Sequence, residues 1–416
     1  MNRRRQHFNW FRIVFFCLLI AAGLYLDKYV IPTAPSPFQP TATPTRPPEA
    51  YLTEAQTLFD QGKLNQSIQA YQQAIAVQPE DSSIYVELAR VQVFAGDYEG
   101  AKTSAEDALL LNPNNSMAFA VRAWALDFQG DYLGAEDSIK RALEIDDKNP
   151  RAHAYYAEIL TDEAVAQGAD TIQKAIDESN LAKTLAPDTL ESHRARGYVL
   201  ENTANYEDAI REYEAAITIN KNISMLHLAM GRNYYALGIY DKAIDEYTLA
   251  NTLNPSDATP DFLTSRTYAV VGQFSKAMQF AETAVKDDPT NARYHGNLGV
   301  MLYKNALYVD AVKELGLAVN GGLTDDGQKV ESVELVPNSP RLAEIYFTYA
   351  LALGKVGRCG DTLKVAQIVQ ARIPDDSLSV DNVNEAIKNC QQFLASPTTP
   401  TVVPDLTSSP TVSPTP

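Results

Sequence analysis

Residues 231–255 read GRNYYALGIYDKAIDEYTLANTLNP, and the spacing inside this stretch decides the fold. Gly231, Ala243 and Ala250 put small side chains where two short helices cross closely, since a bulky residue there would push them apart. Gly238 supplies the left-handed residue that ends the first helix, and Tyr240 opens the second. Pro255 stops that second helix. One such pair cannot bury its apolar face alone, so the pattern has meaning only if it recurs.

It does recur. Proline stands at Pro79 and Pro113, then at Pro187, Pro255 and Pro289, at intervals of 34 or 68 within each group. Lys221 stands in between, and Asp147 fills the slot after Pro113. With this proline as position 32 of a unit, position 8 reads Ala55, Ala89, Ala123, Ala157, Gly197, Gly231, Ser265, Gly299 and Ala350. Position 20 reads Ser67, Ala101, Ala135, Ala175, Ala209, Ala243, Ala277, Ala311 and Thr362. Position 27 is Ala74, Ala108, Ala142, Ala182, Ala216, Ala250, Ala284, Ala318 and Val369. A large ring opens the second helix at Tyr98, Tyr132, Tyr206, Tyr240, Phe274 and Tyr308. Glycine shortly precedes that slot at Gly62, Gly96, Gly130, Gly238, Gly272 and Gly357.

This period and these slots resemble the tetratricopeptide repeat, a helix–turn–helix unit. The resemblance covers residues 49–376 with two interruptions. It implies an all-α protein, a right-handed α–α superhelix of about nine units plus a C-terminal capping helix. The expected layout is a cytoplasmic basic tail (1–12), a transmembrane signal anchor (13–31), a Pro/Thr-rich linker (32–48) and units one to eight (49–320). An insertion (321–340), the ninth unit with its cap (341–394) and a disordered Pro/Thr/Ser tail (395–416) complete it. The first interruption is expected to lengthen the turn of the fourth unit by six residues, around Thr161 to Asp170. The second, with Gly321, Gly322 and Gly327 before Val330 to Val336, is expected to form a short hairpin or an extended flap.

At the N-terminus, Arg3, Arg4 and Arg5 precede an uncharged run from Ile13 to Leu26. A basic head before an apolar run keeps the N-terminus in the cytoplasm and directs the downstream chain across the membrane. The run itself is short for a spanning helix, but Phe11 to Ile31 suffices if Asp27 and Lys28 reach the headgroups. The alternative is a signal peptide cleaved near Ala21-Ala22-Gly23, leaving a secreted chain. The whole chain is acidic, with 35 Lys+Arg against 52 Asp+Glu and a formal charge of −17, and its few bases are partly concentrated in the first 31 residues. Such a surface repels phosphates, which argues against a nucleic-acid partner.

No Cys-x-x-Cys spacing or other metal-ligand pattern is present, and no cofactor or small-molecule substrate is implied. In the repeat numbering, Cys359 lies at the turn of the ninth unit and Cys390 near the far end of the next helix, on the same edge of the solenoid. A disulfide between them is expected in an oxidising compartment; two free buried thiols are the alternative. Four histidines, His153, His193, His227 and His295, share position 4. Equivalent positions in successive units are too far apart for one metal, and Tyr51, Tyr85, Phe119 and Tyr346 fill the same slot elsewhere, so the histidines read as packed rings.

In the family, the first helix of each unit lines a concave groove. The slots facing it hold Arg90, Phe94, Trp124, Phe128, Tyr198, Arg232, Tyr235, Arg266 and Tyr303, with Glu158, Asp162 and Glu201 among them. Aromatic residues and arginine are enriched where proteins bind proteins, which makes these the expected peptide- or helix-binding groove. The asparagine-and-lysine clamp that grips a C-terminal carboxylate in some relatives is absent, because position 9 holds no Asn. Neither a nucleophile elbow nor a phosphate-binding glycine loop nor a His-Glu-x-x-His pattern is found, so no catalysis is expected. The function implied is a membrane-anchored scaffold for protein partners on the extracytoplasmic side. An exported assembly or chaperone-like factor for envelope proteins is the alternative.

Overall fold

The 34-residue spacing is realised as nine packed helix pairs in a computed structural model that describes residues 10–25, 28 and 46–395. Ahead of them stands α1 (Trp10–Tyr25). The pairs begin with α2 (Pro48–Asp60) and α3 (Leu64–Val77), α4 (Ser82–Phe94) and α5 (Tyr98–Leu111), and α6 (Ser116–Phe128) and α7 (Tyr132–Ile145). Next come α8 (Pro150–Gln167) and α9 (Ile172–Leu185), α10 (Leu190–Asn202) and α11 (Tyr206–Ile219), and α12 (Ser224–Ala236) and α13 (Tyr240–Leu253). The array continues through α14 (Thr259–Val270) and α15 (Phe274–Asp287), then α16 (Ala292–Lys304) and α17 (Tyr308–Asn320). After a hairpin of β1 (Gly322–Leu323) and β2 (Lys329–Val330), it ends with α18 (Pro340–Lys355), α19 (Cys359–Arg372) and α20 (Ser377–Ala395).

The alanines at positions 8, 20 and 27 lose all their accessible surface at the helix crossings. Where position 8 is glycine, the side chain at position 24 is large: Tyr213 lies over Gly197, Tyr247 over Gly231 and Leu315 over Gly299. A Cβ on Gly231 would stand 2.4 Å from the Tyr247 ring, so alanine there would force this ring to shift. The turns obey a second rule. Six glycines hold the left-handed conformation, from Gly62 at φ 73° to Gly357 at φ 78°, and the fifth and eighth units put Ala204 (φ 59°) and Ala306 (φ 62°) into the same conformation. The turn dictates the angle even where the residue resists it, at about 1 kcal/mol or more each.

The fourth unit departs from expectation. Five of its six extra residues prolong the helix and only one lengthens the turn, so that α8 has 18 residues where α4 and α6 have 13. Leu160 to Gln167 contain neither glycine nor proline, and the helix runs on until Gly168 adopts φ 68°. The second interruption forms the hairpin, with Gly322 opposite Val330 and Leu323 opposite Lys329. Its continuation is fastened to the solenoid: the Val333 amide donates to the Ala318 carbonyl at 2.9 Å, and the Tyr346 hydroxyl to the Val333 carbonyl at 2.8 Å. Val330 in β2 and Leu335 in the continuation are buried.

Helix α20 covers α18 and α19, burying Val383, Ala386 and Cys390. Cys390 is disulfide-bonded to Cys359, the first residue of α19, with their Cα atoms 5.4 Å apart. Helix α1 has 16 residues, about 24 Å at 1.5 Å per residue, against about 30 Å of bilayer hydrocarbon. None of its residues is buried, and Cys17 on it is free and exposed. Among the described residues no helix is long and apolar enough to cross a membrane. The basic head, the residues by which the expected anchor extends to Ile31, most of the linker and the tail from Ser396 lie outside the described residues.

Candidate functional site

The first helices of the units turn inward, and the superhelix closes on itself. The Asn222 side chain donates to the Asp60 carbonyl at 2.6 Å, and Asn220 reaches the Phe59 carbonyl at 3.4 Å. The turn of the first unit is thereby docked on the junction between the fifth and sixth. One step along, the turn of the second unit (Val93 to Tyr98) faces the junction from Asn254 to Thr259. Between them lies a chamber of about 680 Å³, walled by Phe94, Tyr98, Phe128, Tyr198 and Arg232 and floored by Glu158, Asp162 and Arg194.

Two of the residues expected to face a ligand are built into the wall instead. Trp124 is fully buried, stacked on Tyr155 at 4.5 Å with its indole N–H donating to Glu158 at 3.0 Å. The Arg194 guanidinium lies 4.2 Å above the same ring and is ion-paired with Glu158. Arg90, 6% exposed, donates from Nε to Glu191 at 2.7 Å and sits over the Phe59 ring at 4.8 Å. Phe94 is buried between Phe59 and Trp124, with only an edge on the chamber. The superhelix is too tightly wound for an open groove at this end, and the inner side chains fill it.

The other expected residues keep an accessible side. Phe128, 41% exposed, stacks on Tyr98 with centroids 4.7 Å apart. Tyr198 donates its hydroxyl to Asp162. Arg232 holds Glu201 through two nitrogens, at 2.6 and 3.2 Å. Tyr235 and Tyr303 lean on Tyr240 and Tyr308, the rings that open the second helices of their own units. Arg266, beside Phe262, Arg293 and Arg341, lines a separate pocket of about 150 Å³. Among the described residues none of these three arginines has an ion-pair partner, and burial together with the neighbouring Arg341 lowers the Arg266 pKa.

The chamber floor concentrates acid. Burial pushes Glu158 up to about 7, opposed by Arg194 and reinforced by Asp162. Burial and the adjacent Asp162 push Asp127 up to about 9. Asp162 is itself raised by burial, against the hydrogen bonds from Tyr198 and Asp127. Glu191 behaves oppositely: burial favours its neutral form, but Arg90 and Arg151 outweigh it and hold the carboxyl below its ordinary range. Environment alone separates these carboxyls.

The four histidines are packed, as their shared slot implies, but each also has a fixed carboxylate partner. Nδ1 meets Glu178, Glu212, Glu246 and Glu314 respectively, at 2.6 to 2.7 Å. In His153, His227 and His295 the other nitrogen meets a backbone carbonyl at 2.9 Å, so both ring nitrogens face acceptors. Burial opposes the charge in these three, yet the carboxylate and carbonyl prevail and raise the pKa. The glutamates were missed as partners in the sequence, although all four stand at position 23, where the units without histidine have Ala70, Ser104, Ser138, Phe280 and Val365. Reading positions 4 and 23 as a pair would have found them. Among the described residues no group of three or more His, Cys, Asp or Glu side chains is arranged to hold a metal ion.

Models of the tetratricopeptide repeat match residues 58–125 and 191–223. Among solved structures, the chain is similar to pilF of Pseudomonas aeruginosa at 21% identity, covering 50% of this chain and 92% of that one with a TM-score of 0.37. A thermophilic tetratricopeptide-repeat protein of Thermus thermophilus is 20% identical, covering 45% and 100% with a TM-score of 0.39. MamA is 19% identical, covering 37% and 89% with a TM-score of 0.33. No curated protein matches the chain.

Proposed function

Because the chain is a tetratricopeptide-repeat protein, we propose that it is a scaffold that holds a segment of a partner protein along its concave face, outside a membrane to which its N-terminus is anchored. Repeats of this kind support protein–protein interaction, and one observation carries the finer reading. Once the inner side chains have filled the first turn, Phe128, Tyr198 and Arg232 still present aromatic and guanidinium surface to the chamber and Arg266 to the arginine pocket, with Tyr235 beside Arg266. These are residue types on which binding energy concentrates. The basic head ahead of an apolar run supports an anchor with the solenoid outside, and the Cys359–Cys390 bond suits an oxidising compartment.

Proximity labelling from the intact, full-length chain tests this reading. The wild type is expected to label a small set of extracytoplasmic proteins, and Phe128→Ala with Tyr235→Ala to lose them. An unchanged labelled set in the double variant, or one made of cytoplasmic proteins, overturns it.

A further inference from the structure

The chamber has more acid than its own cations neutralise. Arg194 is committed to Glu158, and Arg232 is held by both oxygens of Glu201. Among the described residues the lining carboxylates Asp162 and Asp257 have no ion-pair partner. Asp257 caps Thr259 at 2.9 Å and stands close enough to Tyr98 to raise the phenol pKa, which burial has already pushed up. Two buried carboxylate oxygens have no hydrogen-bond partner at all, Oδ1 of Asp127 and Oε1 of Glu158, on residues 5% and 4% exposed. Glu158 lines the chamber, and a buried oxygen left unpaired is destabilising until a donor meets it. The opposite wall is aromatic, with Tyr98 stacked on Phe128 and Phe94 beside them. Arg194, lying over Trp124, already shows that this interior accepts a cation on a ring face.

Resting on the groove reading above, we propose that the chamber is a receptor for one positively charged group, an ammonium or guanidinium, seated between Asp162, Asp257 and the Tyr98–Phe128 stack. The cation takes over the neutralising role of the proton on Glu158, whose carboxyl burial pushes up to about 7. Its entry therefore releases protons. A volume of about 680 Å³ admits a lysine or arginine side chain with its flanking backbone, and the apolar rings follow the methylene stem. The same chemistry on a free amine is the other source.

The test uses the full-length protein in nanodiscs and three Gly/Ser peptides of equal length with lysine, norleucine or glutamate at the centre. Affinity is read by fluorescence anisotropy, and proton release by calorimetry in buffers of different ionisation heat. The lysine peptide is expected to bind at least about tenfold tighter than norleucine, with protons released, and Asp162→Asn or Asp257→Asn to remove about tenfold of that affinity. Asp257, half-buried in a junction turn, keeps the test open if Asp162→Asn unfolds. Cadaverine that displaces the lysine peptide identifies a free amine as sufficient; cadaverine that does not, while the lysine peptide binds, assigns the site to a protein side chain. Equal binding of lysine and norleucine, preference for glutamate, no binding of any peptide, or variants without effect overturns the proposal. If Phe128→Ala with Tyr235→Ala still abolishes partner labelling in that case, only the cation site fails and the groove reading stands.

Discussion

Units one to six and units seven to nine are built from the same helix pair, yet they hold together differently. Buried apolar side chains form one continuous cluster from Ala55 to Tyr247 and a second from Ala277 to Ala386. Helix α14 lies between them, and the residues it buries are Pro260, Asp261, Thr264, Ser265 and Thr267. The first cluster is closed by polar chemistry: the Asn220 and Asn222 dock, the Arg90–Glu191 pair, and Arg194 with Glu158 against Trp124. The second is closed by covalent and apolar means, namely the disulfide, the α20 cap and the hairpin's continuation at Leu335. Their inner faces also differ in sign, acid in excess in the chamber and three arginines against one carboxylate, Glu344, in the pocket. A repeat fixes how neighbours pack, and leaves each end of the stack to be closed by whatever chemistry its own residues offer.

The comparison breaks most readily at Trp124. Trp124→Ala removes the ring that contacts Phe94, Tyr155 and Arg194, together with the indole donor to Glu158, and is expected to cost about 4 kcal/mol. Native-state hydrogen exchange should show the loss in α2 to α13 with α16 to α20 still protected. A loss shared evenly by both clusters would mean that α14 is no joint.

Next in size is the converse change. Replacing Cys359 and Cys390, 31 positions apart, by serine is expected to lower the stability of the second cluster by about 3–4 kcal/mol. Urea unfolding should then separate into two transitions, the earlier one belonging to units seven to nine. A single transition displaced as a whole refutes the division.

The third comparison is by pH, and within the range tested the signs agree. Glu158 and Asp127 have pKa values raised to about 7 and about 9, so the stability they lend is complete below about 4 and is lost as pH rises through those values. His153 and His227 are raised above 6.5, so theirs is complete below 6.5 and is also lost as pH rises. Glu191 has the opposite sign, but its window lies below about 4.5. Between about pH 5.5 and pH 9 the midpoint of the first cluster should fall. The second, which carries only His295 of these groups, should fall less. Differential scanning calorimetry across the range decides it, and a midpoint rising with pH would contradict the assignment.

How much of this was readable beforehand depends on the length scale of each feature. The small residues at three slots and the turn glycines act within one unit, and they place all nine pairs. Cys359 and Cys390 span adjacent units, and the repeat numbering was enough to bring them to one edge. Helix α8 was misread because a count of extra residues does not say whether helix or turn absorbs them; the absence of glycine or proline from Leu160 to Gln167 does. Arg90 and Trp124 were misread for a deeper reason. Whether an inward side chain meets solvent or another helix depends on how tightly the superhelix winds, a property of the whole stack that no single unit encodes.

The dock of Asn222 and Asn220 on the carbonyls of Asp60 and Phe59 joins backbone about 160 residues apart. An open solenoid tolerates gain or loss of a unit, because each repeat touches only its neighbours. Here the copy number between the first unit and the sixth is set by a geometric condition, as links are in a closed bracelet. Deleting any one of those units would shift both asparagines off their carbonyls and part the walls of the chamber, even with every remaining pair intact. Changes in array length are therefore free only beyond the sixth unit.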